Sequence, residues 1–412
     1  MTFIDQEQPG AWGTPEASSA SRGHRPLPRE RRRRFSGQAR LLAAIAILAA
    51  TGGAIVARDR HGAHGSRTRS AERGQAAGRG SDDVNIYAAT ATSALSAAVA
   101  NVPTRVYVPN SNSGTVDVID PASFRVVRTL RVGTLPQHVT PSYDLKTLWV
   151  DNDHSNTLTA IDPRTGLATG TRPVTNPYNL YFSPGGHEAI VVAEARGRLD
   201  FRGASTMRLH QSVRVPCPGV DHLDFTADGG TILASCEFAN KMIEVDAKRH
   251  RLLRSLLLPT GASPQDVKLS PDGRVFYVAD KTRGGLYLID AARFRVLGFL
   301  PTGADSHGLY LSRDTRDLYV TNRRAGTVSV VGFGARRVLR TWRIPGGSPD
   351  MGGVSRDGTI LWLTGRYNAE VYAIDTRSGR LRARIRVGRG PHGLSIFPQP
   401  GRFSLGHTGV YR

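Results

Sequence analysis

The sequence predicts an all-β fold: a seven-bladed β-propeller with four-stranded blades, its ring closed by a C-terminal strand pairing with the N-terminal blade. Three observations lead there. The chain has 412 residues, 39% of them apolar, with 45 Gly and 24 Pro, enough to bury a large core and rich in residues that end short strands. Six segments of one pattern recur, aligned on Ser142, Ser183, Thr226, Ser270, Ser312 and Ser355, with a seventh match at Phe397; the spacings are 41, 43, 44, 42, 43 and 42 residues. Finally, the repeat is broken at both ends, and the two fragments complement each other.

Each unit reads as four strands. An alternating strand leads to a polar turn such as "SPDG" (270–273); a second strand such as "FYVAD" follows, then a third ending in "VID" or "AID", then a fourth such as "RVLGFL". Period-2 alternation bounded by Asp, Gly and Pro is the signature of antiparallel hairpins, and a period near 40 with four strands is that of a propeller blade. Residues 105–131 form a blade without its first strand, and "PHGLSIF" (391–397) is a first strand without a blade. Joining them removes two open sheet edges.

The elements before the ring follow in order. Residues 1–40 read as a disordered basic region, ending in "PRERRRRFSGQAR". Residues 41–57, "LLAAIAILAATGGAIVA", carry no charge and are expected to be a signal peptide or a transmembrane anchor. The arginines before it hold that end inside, so the rest is expected to be extracytoplasmic, membrane-anchored or secreted. Arg32-Arg33-Arg34-Phe35 fits a twin-arginine export core; both export routes, and cleavage or retention of the segment, stay open. Residues 58–102 are a low-complexity linker, with a more apolar stretch near its end that is expected to pack on the domain; residues 103–412 are the propeller.

"VYVPN" (106–110), "LYVTN" (318–322), the repeated "VID/AID" and "SPDG" resemble the YVTN-repeat propellers, the YncE-like group. The resemblance covers three quarters of the chain and implies the fold; the group is functionally mixed. Blade 3 departs from the pattern, with "IVVAE" and "LDFRGASTMRLH" in place of the signatures.

The recurring Asp at the end of third strands (Asp120, Asp162, Asp246, Asp290, Asp375) is expected to accept hydrogen bonds from its own turn, and the recurring Tyr or Trp (Tyr107, Trp149, Tyr277, Tyr319, Trp362) to pack between blades. The ring carries a net charge of +15, concentrated on fourth strands such as "RLRARIRVGR" (380–389), where charge discourages edge-to-edge pairing. A basic rim could also hold anionic polymers or head groups. Placement outside the membrane and the lack of a recognised motif argue against nucleic acid. Cys217 and Cys236 are expected near each other on one face of blade 4, as a disulfide in an exported domain.

First strands line the central channel, so equivalent positions converge. Near the start of these strands stand His138, Asn179, Asp221, His222, Asp266, His307, Asp350 and His392, the candidate ligand-binding funnel; four of the chain's twelve histidines are among them. Imidazole and carboxylate around one axis suit a metal or acid–base site, and the expected metal set is His222, Asp266, His392 and His138. No Cys-x-x-Cys-His or Gly-x-Ser-x-Gly occurs. The resulting expectation is a monomeric, non-catalytic binding or scaffold module for an extracytoplasmic protein, peptide or cell-wall polymer, with no obligatory cofactor. The alternative is a lactonase, other hydrolase or lyase that uses a divalent metal in the funnel.

Overall fold

The computed structural model describes residues 85–91, 94–407 and 412. The segment 41–57, the basic region before it and most of the linker lie outside them. Among the described residues no helix is long and apolar enough to cross a membrane.

Twenty-eight strands form seven four-stranded antiparallel sheets. We number the blades 1 to 7 in chain order of their second strands. Blades 2 to 7 are continuous in sequence and open with first strands at Pro136–Pro141, Asn179–Phe182, Val220–Phe225, Pro264–Leu269, Ser306–Leu311 and Pro349–Val354. Blade 1 takes Arg105–Asn110, Thr115–Asp120 and Arg125–Arg131 from the start of the ring and Ser395–Phe397 from its end, with Tyr107 opposite Ser395 and Arg105 opposite Phe397. The ring therefore closes by strand pairing. Blade 3, where the repeat is least regular, still has four strands, its third and fourth at Arg198–Gly203 and Leu209–Arg214.

Packing explains the repeated aromatic. Tyr107, Trp149, Tyr277, Tyr319 and Trp362 are all buried, and the apolar clusters join neighbouring blades: Val106, Val108 and Ile119 of blade 1 pack with Trp362, Val371 and Ile385 of blade 7. Each such side chain contributes about 1.5–3 kcal/mol on burial. The recurring Asp serves its turn: Asp120 accepts from Ala122 N, Asp162 from Arg164 N, Asp290 from Ala292 N and Arg293 N, and Asp375 from Ser378 N. Fourth strands are mostly exposed. Some of their arginines pair across to the third strand, as Arg384 does with Glu370 and Arg254 with Glu244.

In blades 4 to 7 side chains from the preceding blade satisfy the inner edge, while in blade 2 Val139 N donates to Gly393 O of the C-terminal segment. Leu223 N donates to Tyr181 Oη, Leu269 N to Asp224 Oδ2, Leu309 N to Asp266 Oδ2, and Gly352 N to Tyr310 Oη. At blade 3 the chain's own tail does this work: Phe182 N donates to Leu405 O and His407 N to Leu180 O. The tail passes so close that a Cβ on Gly406 (φ +88°) would lie 2.4 Å from Leu180 O.

Both terminal segments cover the floor of the channel, where first strands end. Buried Tyr87 donates from Oη to Leu269 O. Arg412 donates to Asp224 Oδ1 and Phe225 O. At the opposite end, Cys217 and Cys236 form a disulfide with Cα atoms 5.0 Å apart.

Two outcomes are expected in urea unfolding. Deleting residues 395–412 should replace one cooperative transition by a broad one, because blade 1 loses its inner strand and the floor its tail. Replacing both cysteines (Cys217→Ala/Cys236→Ala) should lower stability by about 2–4 kcal/mol without abolishing cooperativity.

Candidate functional site: a closed histidine cluster in the channel

The candidate residues outside blade 3 share a backbone device. In blade 2 the first strand pairs Pro136 with Asn152 and then Val139 with Val150, so Gln137 and His138 together oppose Asp151. The same one-residue shift frees Asp221 and His222 in blade 4, Gln265 and Asp266 in blade 5, His307 and Gly308 in blade 6, and Asp350 and Met351 in blade 7. Blade 1 repeats it between the Asn110–Pro391 bridge and the Tyr107–Ser395 pair, at His392 and Gly393. A bulge re-aims side chains that a straight strand would send to alternate faces.

Each bulge leaves backbone groups off the ladder, and a second-strand hydroxyl recovers them in three blades. Ser235 Oγ accepts from His222 N and donates to His222 O; Thr364 Oγ1 does the same for Met351; Thr321 Oγ1 accepts from Gly308 N. Thr321 is the Thr of "LYVTN". In blade 2 this position is Asp151, fully buried, with neither carboxylate oxygen hydrogen-bonded. Burial, and then the nearby Asp153, raise its pKa well above the ordinary carboxylate range.

Five imidazoles meet at the centre. His138 lies 4.9 Å from both His392 and His407 between ring centroids, His222 lies 4.8 Å from His407 and 5.6 Å from His307, and His307 lies 5.8 Å from His392. None is more than 2% exposed. His138, His222 and His407 bring one nitrogen each to within 4.8 Å of one another, and His307, Asp350 and His392 form a second such group.

Hydrogen bonding fixes which nitrogens face inward. His138 Nδ1 lies 2.9 Å from Tyr178 O, a partner that only accepts, so Nδ1 carries the proton and Nε2 keeps a lone pair with no partner. His222 Nδ1 lies 2.7 Å from Asp221 Oδ1, an ion-pair contact outside hydrogen-bond geometry, so both its nitrogens and both Asp221 oxygens are without a hydrogen-bond partner. Neither ring nitrogen of His407 is hydrogen-bonded; Nε2 stands 3.8 Å from Asp266 Oδ1. A ring nitrogen tied to a carbonyl with the other left free, as in His138, is how ligating histidines are oriented.

Electrostatics keep most of the cluster neutral. Burial, then His222, lowers the pKa of His138 to about 3. Burial lowers His407 well below the ordinary imidazole value, aided by His222, and lowers His392, aided by Arg366. His307 is lowered by burial and by Arg323. His222 is the exception: burial opposes its charge, but Asp221 outweighs this and raises it. Asp350 is held below the usual carboxylate range, since His307 and Arg323 overcome its burial.

The structure divides the sequence candidates. His138 and His222 join His407; His392 joins His307 and Asp350. Asp221 orients His222. Asp266 uses its oxygens on Val267 N and Leu309 N, and Asn179 uses its amide on Tyr181 Oη and Leu180 N. Sequence reasoning missed His407, which follows the last repeat and has no periodic equivalent. It also missed Asp151, for which a signal existed: an Asp aligned with Thr321 and Thr364. Arg323 and Arg366, on mouth loops, are the other residues it passed over.

A seven-bladed ring with this channel defines a propeller whose polar centre is internal. The family model of the YNCE-like β-propellers matches residues 81–399, and the chain belongs to that family. No curated protein matches the sequence. Among solved structures, the chain is similar to the periplasmic gluconolactonase of Pseudomonas aeruginosa (TM-score 0.61, 19% identity, covering 72% of this chain and 99% of that one). It is also similar to a hydrazine synthase chain of Kuenenia stuttgartiensis (0.54, 18%, 68% and 92%) and to a functionally unknown protein of Desulfotomaculum acetoxidans (0.60, 15%, 71% and 98%). At these identities the likeness concerns the fold.

The hydroxyl that closes the bulge gives a direct test. Thr364→Val keeps shape and leaves Met351 N and O unpaired, so stability measured by urea denaturation should fall by about 1–3 kcal/mol. Thr359→Val, in an exposed turn, should cost under about 1 kcal/mol.

Proposed function

We propose that this YncE-like propeller is a metal-holding, non-hydrolytic binding module that works outside the cytoplasmic membrane. The observation that carries the reading is the trio His138, His222 and His407, buried, with inward nitrogens that have no hydrogen-bond partner. Buried polar atoms are almost always paired, and three converging imidazoles, once an ion displaces the proton that Asp221 favours on His222, are the donor set of a transition-metal ion such as zinc or copper. His138 and His407 are held neutral, the form that ligates. Asp221 and Tyr178 O would keep His222 and His138 in the ligating orientation.

When bound, the ion would supply Lewis acidity and fix the three elements that meet at it. The chain's own residues enclose it: the tail from below, the bulged first strands from the sides. The basic flank before residue 41, the apolar run and the Cys217–Cys236 disulfide all support an oxidising compartment outside the membrane. The partner recognised at the mouth would be a protein, peptide or cell-wall polymer of that compartment.

A second reading, a metal-dependent lactonase or other hydrolase, draws on Arg366. Its side chain is 20% exposed and stands 4.0 Å from Asp350, a cationic link between the mouth and the centre. The histidines themselves are no more than 2% exposed, so a substrate would have to reach a closed centre.

Metal content settles the choice of class. The full chain, purified without a histidine tag or chelators from medium supplemented with zinc, copper, calcium and manganese, should retain at least about one equivalent by mass spectrometry. His222→Ala and His407→Ala should each lower it by about one equivalent. Gly393→Ala should do the same, since its Cβ would lie 2.0 Å from His138 Cδ2. Metal-free wild-type protein would overturn the reading. The loaded protein should leave lactones and esters unhydrolysed above the buffer rate; turnover lost in His222→Ala would establish the hydrolase instead.

A further inference from the structure

The mouth-side group, His307, Asp350 and His392, is not needed for the three-histidine centre, and its own geometry is unusual. Asp350 is fully buried, yet neither of its oxygens has a hydrogen bond. Two guanidinium groups are close enough to have provided them. Arg323 Nη1 stops 3.7 Å from Oδ1 and Arg366 Nε 4.0 Å from Oδ2, beyond hydrogen-bonding distance. Arg323 instead donates to Asp305 at 2.9 Å, and Asp305 also faces Arg324.

The histidines complete the pattern. His307 Nδ1 lies 3.0 Å from Asp350 Oδ1, but neither atom has a hydrogen-bond partner. His392 Nδ1 lies 3.0 Å from the side-chain oxygen of Gln137, an acceptor, and so carries the proton. Its Nε2 then turns a lone pair toward Asp350 Oδ2 at 3.6 Å. Two acceptors facing each other in a buried site repel unless a cation lies between them. Separations of 3.0 and 3.6 Å are those of atoms sharing one ion at about 2.0–2.2 Å from each.

We propose that His307, Asp350 and His392 form a second site for a divalent transition-metal ion, distinct in donor set from the three-histidine centre. Two imidazoles and one carboxylate leave coordination positions open and suit iron, manganese, cobalt or zinc, whereas three imidazoles favour zinc or copper. Gln137 and Arg323 are positioning residues here. Gln137 fixes the His392 tautomer, and Arg323 holds the mouth loop through Asp305.

Cobalt titration of the metal-stripped full chain, followed by visible absorption and by metal content after desalting, tests this independently of the first centre. Wild type should bind about two equivalents with two spectral components. Asp350→Asn and the milder His392→Gln should each leave about one equivalent and remove one component. His407→Ala should leave about one and remove the other, and His407→Ala/His392→Gln should bind none. Circular dichroism and the urea midpoint of each variant identify any that fails to fold. Wild type saturating at one equivalent, with the folded His392→Gln protein unchanged, would overturn the second site and leave the first. Loss confined to His392→Gln, with His407→Ala unchanged, would sustain the second site and overturn the first. No binding by wild type would overturn both.

Discussion

The inner edges of most blades face a channel rather than another strand, so their backbone donors need partners that the sheet cannot supply. Buried N–H groups without partners are costly, and this ring meets the demand with polar side chains from the neighbouring blade. Tyr181, Asp224, Asp266 and Tyr310 each reach across to a first-strand amide. The channel is therefore polar for a structural reason before any ligand is considered. The bulges add to it, turning two consecutive side chains out of the ladder in every blade but the third. Hydroxyls at Ser235, Thr321 and Thr364 make those bulges affordable. The chemistry of the centre grows from one edge-satisfaction problem solved blade by blade.

Blade 3 is where that solution changes hands. Its first strand is short, Asn179–Phe182, and has the tail alongside it as an added strand. The exchange carries His407 against His138 and His222. The same residues that seal the floor thus complete the cluster, and the histidine cluster and the sealing of the floor are parts of one construction.

The fold was legible because a propeller repeats its sequence with its geometry: the period located the first strands, and the broken units at the ends specified the closure. The candidate positions were legible for a related reason. His138 and His222 stand four residues before the aligned turn residue and His307 and His392 five before it, and a bulge spanning those two positions is a repeated property. Which of them share a ligand was not legible, since that depends on ring orientation set by single contacts such as Tyr178 O on His138 and Gln137 on His392. Asp266 looked equivalent to its neighbours, but its oxygens belong to two backbone amides. His407 belongs to no repeat, so periodicity had no means of finding it. The paired cysteines were readable from the strand order alone, because loop and strand end meet on the same face.

The tail has a consequence in time as well as in space. His138 sits in the first complete blade and His407 beyond the last, so the two become neighbours only after every blade between them has been made and the ring has shut. A nascent or half-folded chain presents scattered histidines, none of which can compete for a scarce ion as a set. Occupation of the centre would therefore report that assembly is finished, a maturation mark written by the order of the polypeptide itself.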